Sequence, residues 1–195
     1  MSKNNFIEKA LECKGWTSKE KLNLIFDLIQ KIEHLNGDIL EIGSAWGRST
    51  VLIALSSNKK VWSIDPHTGG IVAISEKKPQ NSFDEFCTNL EKNFILDKVN
   101  ILKYTTKEVY EKKLLPNTLN FSFIFIDGLH TAEAVALDFK LAYSKLIKNG
   151  ILVFDDYFEK SIPEYTKMID KISKELNIEL IKEFNSKLVY LIKYT

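Results

Sequence analysis

Cysteine is nearly missing from this chain. Cys13 and Cys87 are the only two in 195 residues, and they form neither a metal-ligand spacing nor a disulfide framework. Reduced thiols, and with them a cytoplasmic chain, are the expectation. Arginine is scarcer still: of 27 basic residues only Arg48 is one, and 26 acidic residues leave a formal net charge of +1. Such a balance offers no electrostatic footing for nucleic acid. The lysines are spread over mixed Glu/Lys helix faces and read as solvated surface. With 8 glycines and 4 prolines, the sequence holds no flexible linker, and it shows no repeat or low-complexity tract. No run of about 18 apolar residues exists, which excludes a helical membrane span. Met1 to Glu12 lacks the apolar centre of a signal peptide.

What is present is globular: 45 % hydrophobic and 27 % charged residues. That composition and length fit one α/β domain over 1–195, with a helical extension (1–36) ahead of a core (37–195). Thr17-Ser18-Lys19-Glu20 is a capping-box pattern. Leu22, Ile25, Leu28, Ile29, Ile32 and Leu35 then recur at helical spacing up to Asn36-Gly37. From there short apolar runs alternate with helical segments. Strands are expected at 38–42, 61–64, 99–103, 121–126 and 151–154, and helices at 48–56, 82–95, 107–114, 132–147 and 163–176. Segments 178–184 and 188–192 read as a terminal antiparallel pair turning at Asn185-Ser186-Lys187. Pro66 to Asn81, with Gly69-Gly70 and Pro79 as breakers, reads as a long loop. Continuous apolar strands alternating with amphipathic helices predict a mostly parallel, Rossmann-like seven-stranded sheet covered on both faces. In such sheets ligands collect beyond the carboxyl ends of the strands.

The first strand runs into Glu41-Ile42-Gly43-Ser44-Ala45-Trp46-Gly47-Arg48-Ser49. Gly43 allows a tight turn out of the strand, and Gly47 allows a helix to begin close to a ligand. The spacing is Gly-x-x-x-Gly, without the middle glycine that lets a pyrophosphate sit on a helix N-terminus. Taken alone it is equally a plain turn. The second strand, however, ends in Ile64-Asp65-Pro66, about 20 residues on, where a carboxylate can accept from ribose hydroxyls.

These features, with Ile126-Asp127-Gly128-Leu129-His130, resemble the class I methyltransferase superfamily. More narrowly they are similar to the small bacterial O-methyltransferases related to the sugar and macrolide enzymes. The resemblance spans roughly Gly37 to Tyr157. It implies S-adenosylmethionine as cofactor, with Glu41, Gly43, Ser44, Gly47, Ser49 and Asp127 around its methionine end and Asp65 on its ribose. Thr105, after the third strand, falls near the adenine. Glu41 serves either the methionine ammonium or the folding of the loop.

Asp127 ends the fourth strand and Asp155-Asp156 the fifth, so three carboxylates converge if these strands are neighbours about 5 Å apart. Such a cluster must be solvated, take up a proton or bind a cation, and oxygen ligands favour Mg²⁺, with Ca²⁺ or Mn²⁺ as substitutes. The resemblance implies the same metal at Asp127, Asp155 and Asp156, chelating vicinal oxygens of the acceptor. The plainer alternative is a turn at Asp127-Gly128 and capping by Asp155 and Asp156. His130 is either the general base, together with Asp127, or a brace for that carboxylate. His67 stands where it can face the site, and His34 reads as surface. The long loop and Tyr157-Phe158 are expected to shape the acceptor pocket.

The leading expectation is therefore an enzyme methylating a hydroxyl of a sugar or other small natural product, with no nucleic-acid or membrane partner. Pairing into a homodimer through the N-terminal helices is left open. A cofactor-binding protein without transfer activity also remains open. A dinucleotide-dependent oxidoreductase is disfavoured by the glycine spacing and by the lack of a Tyr-x-x-x-Lys pair. A nucleic-acid methyltransferase lacks its base-flipping motif after the fourth strand.

Overall fold

Phe121–Ile126 is a six-residue strand buried at every position, which is what an interior strand of a sheet covered on both faces must be. It is β4 of a seven-stranded sheet in the order β3-β2-β1-β4-β5-β7-β6. The computed structural model describes residues 2–70 and 81–194. The strands are β1 (Asp38–Ile42), β2 (Val61–Ile64), β3 (Val99–Leu102), β4, β5 (Leu146–Phe154), β6 (Ile181–Glu183) and β7 (Leu188–Ile192). The first five run parallel, and β7 is antiparallel to both β5 and β6. This is the expected α/β architecture, with its terminal antiparallel pair.

Seven α-helices are described: α1 (Lys3–Glu12), α2 (Lys19–Ile32), α3 (Arg48–Ser56), α4 (Phe83–Lys92), α5 (Thr106–Glu111), α6 (Ala132–Lys145) and α7 (Pro163–Glu175). Alternate strand residues feed two cores. Ile39, Phe123, Phe125, Ile151 and Val153 pack with α1 to α4, while Leu40, Ile124, Ile126, Leu152 and Phe154 pack with α6 and α7. This period-two division is the pleat acting on a run that is apolar throughout. Among the described residues no helix is long and apolar enough to cross a membrane.

Several boundaries differ from the sequence expectation, each for a local reason. The helical extension expected over 1–36 is two helices, of which only α2 had bounds from its spacing; Ser2 caps α1, accepting from the Asn5 N–H, and Ile7 and Ala10 are buried. The cap of α2 is Ser18 instead of Thr17, because the Thr17 carbonyl is engaged by Arg48 Nη1 at 3.2 Å. Helix α6 stops two residues early, and Leu146 already belongs to β5. Strand β6 is shorter than expected, since Ile178 is held at the end of α7 by a bond from its N–H to the Ser173 carbonyl (2.9 Å). Of the expected long loop, residues 71–80 lie outside the described residues.

The ladder registers place the site. Ile42 pairs with Ile64 and Ile126, and Ile126 with Phe154. Backbone bonds carry the pairing one residue further, from Gly43 to Ile64, Asp127 to Ile42 and Asp155 to Ile126. Gly43, Asp65, Asp127 and Asp155 therefore form one row along the carboxyl edge. The sheet order reverses between β1 and β4, the position where open α/β sheets bind ligands.

Candidate active site

At the reversal, Gly43 has φ +88° and lies against the end of β4 so closely that a Cβ would meet the Asp127 carbonyl oxygen at 2.0 Å. The loop that follows is held from β2. The Asp65 carboxylate accepts from the backbone N–H of Ser44 (2.9 Å) and of Ala45 (2.8 Å) through one oxygen, and from that of His67 (2.6 Å) through the other. Asp65, expected to hold a ribose, is here the anchor of the glycine loop. Ser44 is buried, and its hydroxyl bonds that of Ser63 at 2.9 Å. Gly47 opens α3 in a left-handed conformation, over the Phe86 ring.

Glu41 is fully buried under this loop. The Thr50 hydroxyl donates to its Oε2, and Ser49 lies beside it. Burial pushes the Glu41 carboxyl up to about 8, with the hydroxyls of Ser49 and Thr50 opposing that rise. Its Oε1 has no hydrogen-bond partner, and a buried acceptor without one is costly. A cationic ligand group is the chemistry that would satisfy it.

The chain segment between α1 and α2 roofs the loop. Lys14, Gly15, Trp16 and Thr17 face Gly43 to Trp46, Arg48, Ser49 and Asp127 across a narrow cleft. Trp16, though 73 % exposed, stands edge-on to the buried Trp46 with ring centroids 4.6 Å apart. Arg48 fastens this roof, donating from Nε to the Cys13 carbonyl (2.9 Å) and from Nη1 to that of Thr17.

On the other side of the reversal lies the acidic end. His130 Nε2 is 3.5 Å from Asp127 Oδ1 and 3.7 Å from Asp156 Oδ2. The ring packs edge-on to Tyr165, whose hydroxyl donates to the Asp155 carbonyl (3.0 Å). Burial favours the neutral imidazole, but Asp127 and then Asp156 outweigh it and raise His130 above its ordinary value. Burial raises the Asp127 carboxyl, with His130 pulling the other way. Donor atoms of Asp127, His130 and Asp156 all lie within 4.8 Å of one another.

Asp155 is not part of that group. The Lys21 ammonium, arriving from α2, sits 2.5 Å from Asp155 Oδ1 and 2.8 Å from Asp156 Oδ1. The expected set of Asp127, Asp155 and Asp156 is thus divided: Asp155 and Asp156 share the Lys21 ammonium, while Asp127 and the other Asp156 oxygen face His130. Mg²⁺ bonds its oxygens at about 2.0–2.1 Å. On the two oxygens that Lys21 already holds, the arrangement does not fit that ion.

A methyltransferase-domain family model matches residues 40–157. The chain belongs to that family. An uncharacterized protein of Acanthamoeba polyphaga mimivirus is 32 % identical over 171 residues, covering 83 % of this chain and 71 % of that one. Among solved structures, the O-methyltransferase NovP superposes with a TM-score of 0.77 at 18 % identity, over 93 % of this chain and 84 % of its own. The O-methyltransferase from Bacillus cereus in complex with SAH gives 0.71 at 17 %, over 99 % and 93 %. At these identities the likeness is one of fold, and that fold is the class I methyltransferase fold.

For a methyltransferase, two other sequence expectations fall at the margin of the site. Thr105 is exposed and spends its hydroxyl on a reciprocal capping box with Glu108 at the start of α5. His67 is buried between Phe83 and Phe86, its Nδ1 2.9 Å from the Ser82 hydroxyl. His34 is exposed, as expected. Sequence reasoning missed Lys21, Trp16, the clamp by Arg48, Tyr165, and Asp138. Asp138 is buried behind Gly128, and burial raises its carboxyl to about 6. It interrupts the apolar face formed by Val135, Phe139 and Ala142, a signal that was legible. Lys21 gave a similar one: it stands four residues before Ile25 and seven before Leu28, on the apolar face of α2.

Proposed function

We propose that this family member transfers the methyl group of S-adenosylmethionine to a hydroxyl of a small acceptor, of the sugar or natural-product class, leaving S-adenosylhomocysteine. The observation that carries the reading is the placement of two unlike groups on either side of the β1/β4 reversal. On one side is a glycine loop with an unpartnered buried carboxylate oxygen, Glu41 Oε1. On the other is an imidazole between two carboxylates.

In this reading the cofactor supplies an electrophilic methyl on a sulfonium. Gly43 to Gly47 and Glu41 receive its cationic amino-acid end, and Asp65 holds that loop in shape. The acceptor hydroxyl lies beside Asp127 and His130, and its oxygen attacks the methyl carbon as the carbon–sulfur bond breaks. His130, neutral at the start, takes the hydroxyl proton, and Asp127 and Asp156, which face its Nε2, stabilise the imidazolium formed. Trp16 and the roof segment keep water from the sulfonium. The magnesium ion implied by the resemblance is given no step here, because Lys21 holds one oxygen each of Asp155 and Asp156, two of the three carboxylates of the implied set.

Calorimetric titration with S-adenosylmethionine and S-adenosylhomocysteine tests the first half. Saturable binding by the native protein, lost in Asp65→Ala, is expected. Transfer of labelled methyl to a panel of hydroxylated sugars and phenols, lost in His130→Gln, tests the second. A folded protein that binds neither compound would overturn the reading.

A further inference from the structure

Lysine is almost never buried unless paired. The Lys21 side chain is only 10 % exposed and that of Asp155 2 %. The lysine belongs to α2, at the amino-terminal end of the chain, whereas its partners follow β5. Its backbone is fixed too, since the Lys21 N–H donates to the Ser18 cap at 3.3 Å. The acidic pair is equally set. Asp156 is left-handed at φ +52°, and its N–H donates to Asp155 Oδ1 at 2.6 Å. This geometry turns the Oδ1 atoms of both carboxylates to a single ammonium. The remaining Asp156 oxygen, Oδ2, faces His130.

We propose that Lys21 is the resident cation of the acidic end, taking the place that a divalent ion would fill, so that this chain transfers methyl groups without a metal. The ammonium neutralises Asp155 and Asp156 and holds their orientation, so it is a positioning residue. Unlike a metal it offers no empty coordination position, so it cannot chelate two vicinal oxygens. Acceptor recognition is left to hydrogen bonds at Asp127 and His130, and a single hydroxyl suffices. The catalytic consequence rests on the methyltransferase reading above; the exclusion of metal does not.

The test is Mn²⁺ binding followed by electron paramagnetic resonance, in the native protein and in Lys21→Met and Lys21→Gln. The native protein is expected to show no saturable binding below the millimolar range. The two variants, whose folding is checked by circular dichroism, are expected to bind at least about tenfold tighter. Equal affinities across all three would overturn the proposal. Crystals of the native protein soaked in Mn²⁺ answer without any variant: an anomalous peak bonded to Asp155 and Asp156, or to Asp127, His130 and Asp156, refutes it, and a seated Lys21 with no peak at either place supports it. Methyl transfer unaffected by a chelator is the functional counterpart, and loss of transfer that Mg²⁺ restores would also overturn it. A protein that binds no S-adenosylmethionine yet follows the Mn²⁺ pattern would sink the function and leave the role of Lys21 standing.

Discussion

Gly43 and Asp127 are neighbours across the β1/β4 reversal at a distance that only a hydrogen on Cα permits. A methyl at position 43 would stand 2.0 Å from the Asp127 carbonyl oxygen and 2.5 Å from its carbon, on a backbone already at φ +88°. Gly43→Ala must therefore push the ends of β1 and β4 apart. The expected cost is at least about 2–3 kcal/mol, from left-handed strain together with the displaced ladder. Thermal denaturation measures it, and a variant as stable as the native protein would show that the two strand ends are looser than described.

Asp65 accepts three backbone N–H groups at 2.6 to 2.9 Å. Bonds to a charged acceptor contribute roughly 1.5–3 kcal/mol each before mutual compensation. Asp65→Asn keeps the shape and one acceptor oxygen but loses the charge. A loss on the order of 2 kcal/mol in stability is expected, accompanied by at least about tenfold weaker S-adenosylmethionine binding. Calorimetry and denaturant melts on the same samples measure both. A fall in affinity with unchanged stability would assign Asp65 to the ligand alone.

Glu41 gives a pH signature. Its folded value of about 8 lies above the ordinary 4.5 of a glutamate, so the folded state keeps a proton that the unfolded chain has released. Its contribution to stability is full below the unfolded value, declines as pH rises, and is gone above about 8. Glu41→Gln removes this dependence. The variant should gain on the native protein by about 1 kcal/mol per pH unit between pH 5 and 8, levelling off beyond. Urea melts across that range provide the measurement, and parallel curves would mean that Glu41 folds ionised.

For His130 the expected result is kinetic. His130→Gln should lower kcat by about 10²–10⁴ while S-adenosylmethionine affinity holds. In the native enzyme the rate should rise with pH through a value above the ordinary 6.5, because Asp127 and Asp156 outweigh the burial that favours the neutral ring. That rising arm should vanish in the variant. A pH profile shared by both proteins would return His130 to the role of brace for Asp127.

The sheet was legible because its signals are local. The apolar run Phe121–Ile126 and the helical spacing in α2 each state their own structure. The glycine loop and Asp65 were legible as a motif, although the three amides that Asp65 holds are a matter of tertiary distance and not of sequence spacing. The acidic end was half legible. Asp127, Asp155 and Asp156 announce themselves by following apolar strands, and His130 by following Asp127. Their partner Lys21 stands on the apolar face of α2 with Ile25 and Leu28, but only the packing of α2 against the sheet shows which carboxylates it meets. The same holds for Trp16 and for the grip of Arg48 on Cys13 and Thr17, contacts between segments far apart in sequence.

The fastening of the α1–α2 connection to Arg48 has a consequence for shortening the chain. A protein begun at Gly37 would retain every strand of the sheet, yet it would lose both carbonyls that Arg48 binds and the ammonium that offsets Asp155. It would also strip Leu22, Ile25 and Ile29 from a core shared with Phe123 and Ile151. The amino-terminal helices thus brace the core and the acidic end at once, and a shortened chain must be trimmed from somewhere else.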